Sequence, residues 1–333
     1  MTPTLVISLD QELSWGSFDE TSPGAFLAAH PDPRGTVRAL IALFDELDIP
    51  VTWAVVGHLF LDSCSRGPDG RAHPEIVRPR YGWYPGDWLG ADPCTDRARD
   101  PLWYGDDVLD MIQAARARHE IGCHSFSHLV YGDPGCSHEA AAADLRACLD
   151  VAKRRGITLR SFVFPRNREG HHALLREHGF TSFRGEEPAW WRDLPGAAKR
   201  AGHFFDQAVA MPPPVVDPVE KLPGLWNVPG SLLLLHRHGV RRYIPFAVRR
   251  RRISLGLAVA VRRRRIFHLW FHPHNLSFDR EGLFAVLRDG LREAVRLRDR
   301  GLLDVRTMGD VAETLRGHAG AAATRPRNEG EVT

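Results

Sequence analysis

Short apolar runs alternate along the chain with longer stretches whose apolar residues recur at helical spacing. TLVISL (4–9) reads as a buried strand, TVRALIALFDELD (36–48) as a helix and VTWAVV (51–56) as a second strand. DDVLDMIQAARAR (106–118) predicts a helix, EIGC (120–123) a strand, and EAAAADLRACLDVAKRRG (139–156) a helix that stops at a glycine. LRSFVF (159–164) reads as a strand, HHALLREHG (171–179) as a helix and TSFR (181–184) as a further strand. FHLWF (267–271) predicts a strand, REGLFAVLRDGLREAVRLRDRG (280–301) a helix and LLDVRT (302–307) a last strand. Alternation of this kind implies an α/β fold with a parallel sheet, open or closed into a barrel.

Two segments interrupt the pattern. Residues 62–105 are rich in Pro, Gly and Asp and carry Trp83, Tyr84, Trp88, Trp103 and Tyr104. An aromatic insertion can wall a substrate groove or pack into a small core of its own. Residues 318–333 read as a disordered tail, which leaves 1–317 as one domain.

With 333 residues, 43% of them hydrophobic, the chain can bury a sizeable core, and a formal net charge of +3 is too small to suggest a nucleic-acid binder. The five cysteines form no CxxC pair, so a disulfide framework is not expected. The start MTPTLVISLD lacks the basic and longer apolar segments of a secretory signal, and no apolar run approaches the roughly 20 residues of a membrane span. The expectation is a cytoplasmic protein. Residues 237–265 hold two four-arginine runs around ISLGLAVAV, and no acid lies between Glu220 and Asp279. That pairing of charge and apolar surface suits peripheral contact with the anionic inner face of a membrane; a solvated pair of helix ends is the plainer reading.

Four strands run into polar residues. TLVISL meets Asp10-Gln11-Glu12, EIGC meets His124, SFVF meets Pro165-Arg166-Asn167, and FHLWF meets His272-Pro273-His274-Asn275. Sites in parallel α/β folds lie at the carboxyl ends of strands, so four distant segments are expected to meet at one rim. His124 and His128 are four apart, which on a helical turn would aim both rings the same way. Alone, such a pair more often lies on a solvated helix face. With a carboxylate and a third histidine at other strand ends, it points to a divalent metal, zinc above all, with cobalt or another ion as alternatives.

HSFSH after a strand resembles the metal-binding motif of the polysaccharide deacetylases, the group sharing the NodB homology domain and including carbohydrate esterase family 4. SLDQE is similar to their aspartate-bearing first motif, FVFPRN to the third motif bordering the groove, and LWFH to the last. The resemblance implies a distorted, incomplete (β/α) barrel and removal of N-acetyl groups from amino sugars with one divalent metal. It implies Asp10 as general base, His124 and His128 as metal ligands, and His272 as the acid protonating the leaving amine. Pro165, Arg166 and Asn167 would border the substrate, with Trp191 as an aromatic contact.

The sequence departs from this pattern twice. Gln11 stands where the common motif has a second, metal-binding aspartate, which makes Glu12 the expected carboxylate ligand; a strict strand turns it to the same side as Asp10. Val163 stands where many relatives carry an arginine that orients the base, and Arg166 or Arg160 is the expected substitute. His274 reads as supporting and His58 as a core or surface residue. The substrate is expected to be an N-acetylated saccharide, including a lipid- or nucleotide-linked one. A small amide or cyclic imide, and an inactive carbohydrate-binding relative, are the competing readings. An open groove lined by Trp83, Trp88, Trp190 or Trp191 would favour the sugar.

Overall fold

The structure is a computed structural model and describes residues 2–323. Ten strands form one sheet among these residues. They are β1 (Thr4–Gln11), β2 (Thr52–Val55), β3 (Glu120–Cys123), β4 (Ser161–Val163), β5 (Ser182–Arg184), β6 (Val219–Leu222), β7 (Leu225–Asn227), β8 (Leu232–Leu233), β9 (Ile266–Phe271) and β10 (Asp304–Arg306). The order is β6-β7-β5-β4-β3-β2-β1-β9-β8, with β10 also paired to β1. Only the β6–β7 pair is antiparallel. The helices are α1 (Pro23–Ala29), α2 (Pro33–Leu47), α3 (Asp106–Gln113), α4 (His138–Arg154), α5 (His172–Glu177), α6 (Gly196–Ala208), α7 (Phe246–Arg263), α8 (Arg280–Asp299) and α9 (Met308–Ala323).

β1 and β9 are buried along their whole length, as continuous apolar runs in a helix-covered parallel sheet should be. β1 lies at the centre, with β9 on one edge and β2 and β10 sharing the other. Seven of the ten strands fall where the apolar pattern predicts them. The short β6, β7 and β8 do not, because their two to four residues carry too little pattern to be read.

The arginine-rich segment is largely the helix α7, whose two ends carry the two runs. Its apolar stretch is not free for a membrane: Ile253, Leu257, Val259 and Ala260 are buried in the core. Gly290 of α8 admits Ile253, and an added Cβ there would lie 2.6 Å from that side chain. Several arginines are internally engaged. Arg249 donates to the carbonyls of Leu235 and Arg241, Arg252 pairs with Asp206, Arg250 with Asp289 and Arg265 with Asp217. The apolar half of the membrane expectation therefore falls. No helix among the described residues is long and apolar enough to cross a membrane.

The insertion 62–105 packs mostly on itself and on the barrel. Tyr81, Trp88, Trp103 and Tyr104 are buried, and Trp83 is its exposed tryptophan at 43%. At the other end of the chain α9 continues through residues 318–323, where a disordered tail was expected. The remainder of that expected tail, 324–333, lies outside the described residues.

Candidate metal and catalytic site

The carboxyl ends of β1, β3 and β9 deliver one cluster. Glu12 Oε1 lies 3.0 Å from His124 Nε2, 3.2 Å from His128 Nε2 and 3.3 Å from His272 Nε2. Asp10 Oδ2 lies 3.7 Å from the same His272 nitrogen. Asp10, Glu12, His124 and His128 are buried, whereas the His272 side chain is 24% exposed and forms the cluster's face to solvent. β1 ends at Gln11, yet Asp10 and Glu12 both reach the cluster, as strand alternation requires. Gly16 gives Glu12 its space, since a Cβ there would lie 2.0 Å from Glu12 Oε2.

The two histidines of HSFSH converge, but not on a helical turn. Residues 124–128 form a loop with Ser125 and His128 at positive φ, 64° and 57°. Asp144, buried on α4, folds it. That carboxylate accepts from the hydroxyl of Ser125 (2.8 Å), the N–H of Phe126 (2.9 Å), the N–H and hydroxyl of Ser127 (3.1 and 2.9 Å) and the hydroxyl of Tyr131 (3.0 Å). Sequence reasoning missed Asp144. Its one signal was a lone acid among the alanines of a buried helix face.

The hydrogen-bond inventory fits a cation. His124 Nδ1 lies 2.8 Å from the Val163 carbonyl, which can only accept, so that nitrogen carries the proton. In the neutral ring Nε2 then presents a lone pair to Glu12 Oε1, an arrangement that needs a positive charge between or beside the two atoms. Neither ring nitrogen of the buried His128 makes a well-aligned hydrogen bond, although Nε2 lies 3.2 Å from Glu12 Oε1, and burial lowers its pKa against the pull of Glu12, which favours the neutral ring. Burial opposes ionisation of Glu12, but His272 and the imidazoles around it hold the carboxyl well below its ordinary value. Glu12, His124 and His128 place one ligand atom each within 4.8 Å of one another. Two nitrogens and a carboxylate oxygen suit zinc or a similar divalent ion.

Asp10 has a partner that the sequence reading did not find. Arg184, the last residue of β5, clamps it with two bonds of 2.7 and 2.6 Å. The guanidinium also donates to Ser8 Oγ and Asn167 Oδ1 and lies over the Trp270 ring at 4.1 Å. Burial opposes ionisation of Asp10, but Arg184, together with His272 and His124, outweighs it, so the pKa of the carboxyl is lowered. Neither expected substitute reaches Asp10: Arg166 pairs with Asp19 at 2.5 Å and lies over Trp83, and Arg160 meets Glu313 at the surface. In the β4–β5 register, Arg184 is the partner of Val163, the position where the arginine was expected. A cation ending the buried run TSFR was the available signal.

The other expected residues are dispersed. Pro165 is buried and opens a tight turn in which Arg166 and Asn167 adopt positive φ, 55° and 53°. Asn167 reaches Arg184, while Trp191 is buried with its ring 4.4 Å from His203 of α6. Burial lowers His274, packed 4.8 Å from His30, to about 3, whereas Glu12 and Asp10 overcome the burial of His272 and raise it to about 8. His58 is a core residue.

The curled sheet with its covering helices has the polysaccharide deacetylase (NodB-type) fold. Over 99% of its length, the chain is similar to 94% of a protein described as a polysaccharide deacetylase from Mycobacterium smegmatis, at a TM-score of 0.57 and 17% identity. One so described from Pseudomonas aeruginosa PAO1 gives 0.53 and 13%, covering 93% of this chain and 89% of the other. The allantoinase PuuE gives 0.55 and 13%, covering 94% and 90%. No family model and no curated protein matches the sequence. At these identities the likeness is one of fold.

Proposed function

We propose that the chain is a metal-dependent amide hydrolase that removes N-acetyl groups from an amino-sugar-containing saccharide or glycan precursor. The observation that carries this reading is the convergence of three imidazole Nε2 atoms on one buried Glu12 oxygen, beside an Asp10 clamped by arginine. Glu12, His124 and His128 would hold the ion. When bound, a divalent ion polarises an amide carbonyl and acidifies water. Asp10, kept ionised and oriented by Arg184, takes the proton of the attacking water. His272 gives a proton to the amide nitrogen as the C–N bond breaks. Its charge near neutral pH comes largely from Glu12, so an ion on Glu12 offsets part of that attraction.

Gln11 and Val163 suggested an inactive relative, but Glu12 and Arg184 supply the chemistry those positions lack. Trp88 and Trp191, expected to line a sugar groove, are buried, which favours a small amide or cyclic imide as a second reading. Trp83 and Trp190 remain exposed. The test is metal content together with acetate release from chitooligosaccharides and nucleotide- or lipid-linked N-acetyl sugars, run beside cyclic imides. Turnover of an N-acetyl sugar by the metal-loaded chain supports the first reading, and turnover of imides alone supports the second. No turnover of either class, in a chain that binds metal, removes both.

A further inference from the structure

A second group of ligating side chains lies outside this cluster. His58, in the turn after β2, meets Cys64, His73 and Asp92 of the aromatic insertion, with one ligand atom of each within 4.8 Å of the others. His58 Nε2 is 2.9 Å and His73 Nε2 3.0 Å from Asp92 Oδ2, and Cys64 Sγ is 3.5 Å from the same oxygen. His58 and Asp92 are fully buried.

The outer hydrogen bonds of His58 and Asp92 leave inward-facing lone pairs. His58 Nδ1 lies 3.0 Å from the Trp103 carbonyl, so it must be the proton-bearing nitrogen. No hydrogen bond fixes His73 Nδ1, whose neighbour Glu75 Oε1 lies 3.5 Å away on a largely exposed side chain, so this ring is free to turn its Nε2 lone pair inward. Without a metal, His58 would need a second proton on Nε2 to face Asp92, placing an imidazolium against a carboxylate with no solvent access, whereas a neutral His73 can meet the same oxygen through its own Nε2–H. Asp92 Oδ1 is occupied by the N–H of Cys94 at 2.9 Å, leaving Oδ2 for the centre. Tyr104 Oη accepts from the N–H of Thr95 at 2.8 Å and lies 3.3 Å from Cys64 Sγ, which leaves its hydroxyl proton free to donate to sulfur. Support of this kind, outside the ligands, is what orients metal-binding imidazoles and thiolates.

We propose that His58, Cys64, His73 and Asp92 form a second metal site, a closed four-ligand zinc site that fastens the insertion to the barrel. Two neutral imidazoles, one thiolate and one carboxylate neutralise a divalent ion, which suits a buried position. Cys64 releases its proton to solvent on binding. A cleft of about 390 Å³ lined by Cys64, His73 and Glu75 gives the ion a route in. The site backs onto the loop of the first cluster. The His58 N–H donates to the Phe126 carbonyl at 2.9 Å, and the His58 and His73 rings pack on Phe126 at 5.6 and 5.2 Å.

The test is metal analysis and cobalt(II) spectroscopy of the full chain. Two zinc equivalents are expected, falling to one in Cys64→Ser and to one in the His124→Ala, His128→Ala double variant. Cobalt-loaded wild type should show thiolate-to-cobalt charge-transfer absorption in the near ultraviolet. The double variant should keep that band and Cys64→Ser should lose it, because the first cluster contains no sulfur. A cobalt-loaded wild type without the band overturns the proposal even if no variant folds, and so does a band that survives Cys64→Ser. One equivalent with the band, unchanged in the double variant, would instead remove the metal from the first cluster and leave this site standing.

Discussion

The salt bridge between Arg184 and Asp10 joins residues 174 positions apart in sequence, and both side chains are nearly inaccessible. Removing one partner of a buried pair typically costs about 3–5 kcal/mol, because the other charge is left without compensation. Arg184→Ala should therefore lower stability by about that amount, measured by chemical denaturation. If Asp10 is the base, as proposed, it should also lower turnover, on the order of 10² or more, because the carboxylate loses its orientation. Arg184→Lys keeps the charge but cannot reproduce the two parallel bonds, so it should recover stability more fully than turnover. Metal content should stay at the wild-type level in both, since neither touches Glu12, His124 or His128. Loss of metal in Arg184→Lys would show that Asp10 is itself a ligand. Gly16→Ala makes the opposite case. Its methyl would displace the Glu12 carboxylate, so metal affinity should fall while the Asp10 pair survives. At this scale the sequence was legible wherever a residue's place follows from its own strand end, as for Asp10, Glu12, His124 and His272, which the structure brings together. Arg184 was not, because its role depends on a neighbour in register rather than in sequence.

Among the elements, the loop 124–128 shows how far a motif can be read. The spacing of HSFSH announced two converging rings, and the rings converge, but the cause lies in α4 and not in a helical turn. Asp144 satisfies the backbone N–H groups of Phe126 and Ser127 that the loop would otherwise bury unpaired. Burial raises its pKa, and the hydrogen bonds work against that rise. Asp144→Ala should leave those donors without a partner, and Asp144→Asn should keep only part of the set. Changes in outer support usually cost about 10–100-fold in metal affinity, so titration with zinc should place Asp144→Asn in that range. Wild-type affinity in Asp144→Asn would mean that the loop holds its shape without the carboxylate. The insertion was less legible. Its aromatic composition suited a groove and a small core equally, and only the packing of Trp88, Trp103 and Tyr104 shows how much of it is core.

Across the whole molecule, Arg184 on β5 can meet Asp10 on β1 only because the sheet curls through the three strands between them. Alternating elements announced the parallel sheet, but the curl is set by packing across it and has no local sequence signature. The interior contact extends to β9. Ser8 Oγ accepts from Arg184 and lies 2.9 Å from His268 Nε2, while His268 Nδ1 donates to the carbonyls of Val228 and Pro229, each at 3.1 Å. His268 must be neutral to accept the Ser8 proton. Burial lowers its pKa to about 3, with Arg184 lowering it further and Asp10 opposing. The unfolded chain protonates this ring near its ordinary value of 6.5, whereas the folded chain does not until about pH 3. Its contribution is therefore complete above about pH 6.5 and is lost as pH falls toward 3, by at most about 1.4 kcal/mol per pH unit. Other histidines whose pKa values burial lowers, the buried His30 and the half-buried His119, His236 and His274, add to the same acid loss, so the wild-type slope alone does not isolate this one. His268→Gln does, because an amide can donate to the carbonyls and accept from Ser8 without titrating. Urea unfolding with chelator present, between about pH 6.5 and 4.5, should give a flatter stability profile for the variant, by up to one proton's worth of slope. Parallel profiles would show that His268 takes up a proton in the folded chain as readily as in the unfolded one, and the neutral link from β9 through Ser8 to Arg184 would have to be abandoned.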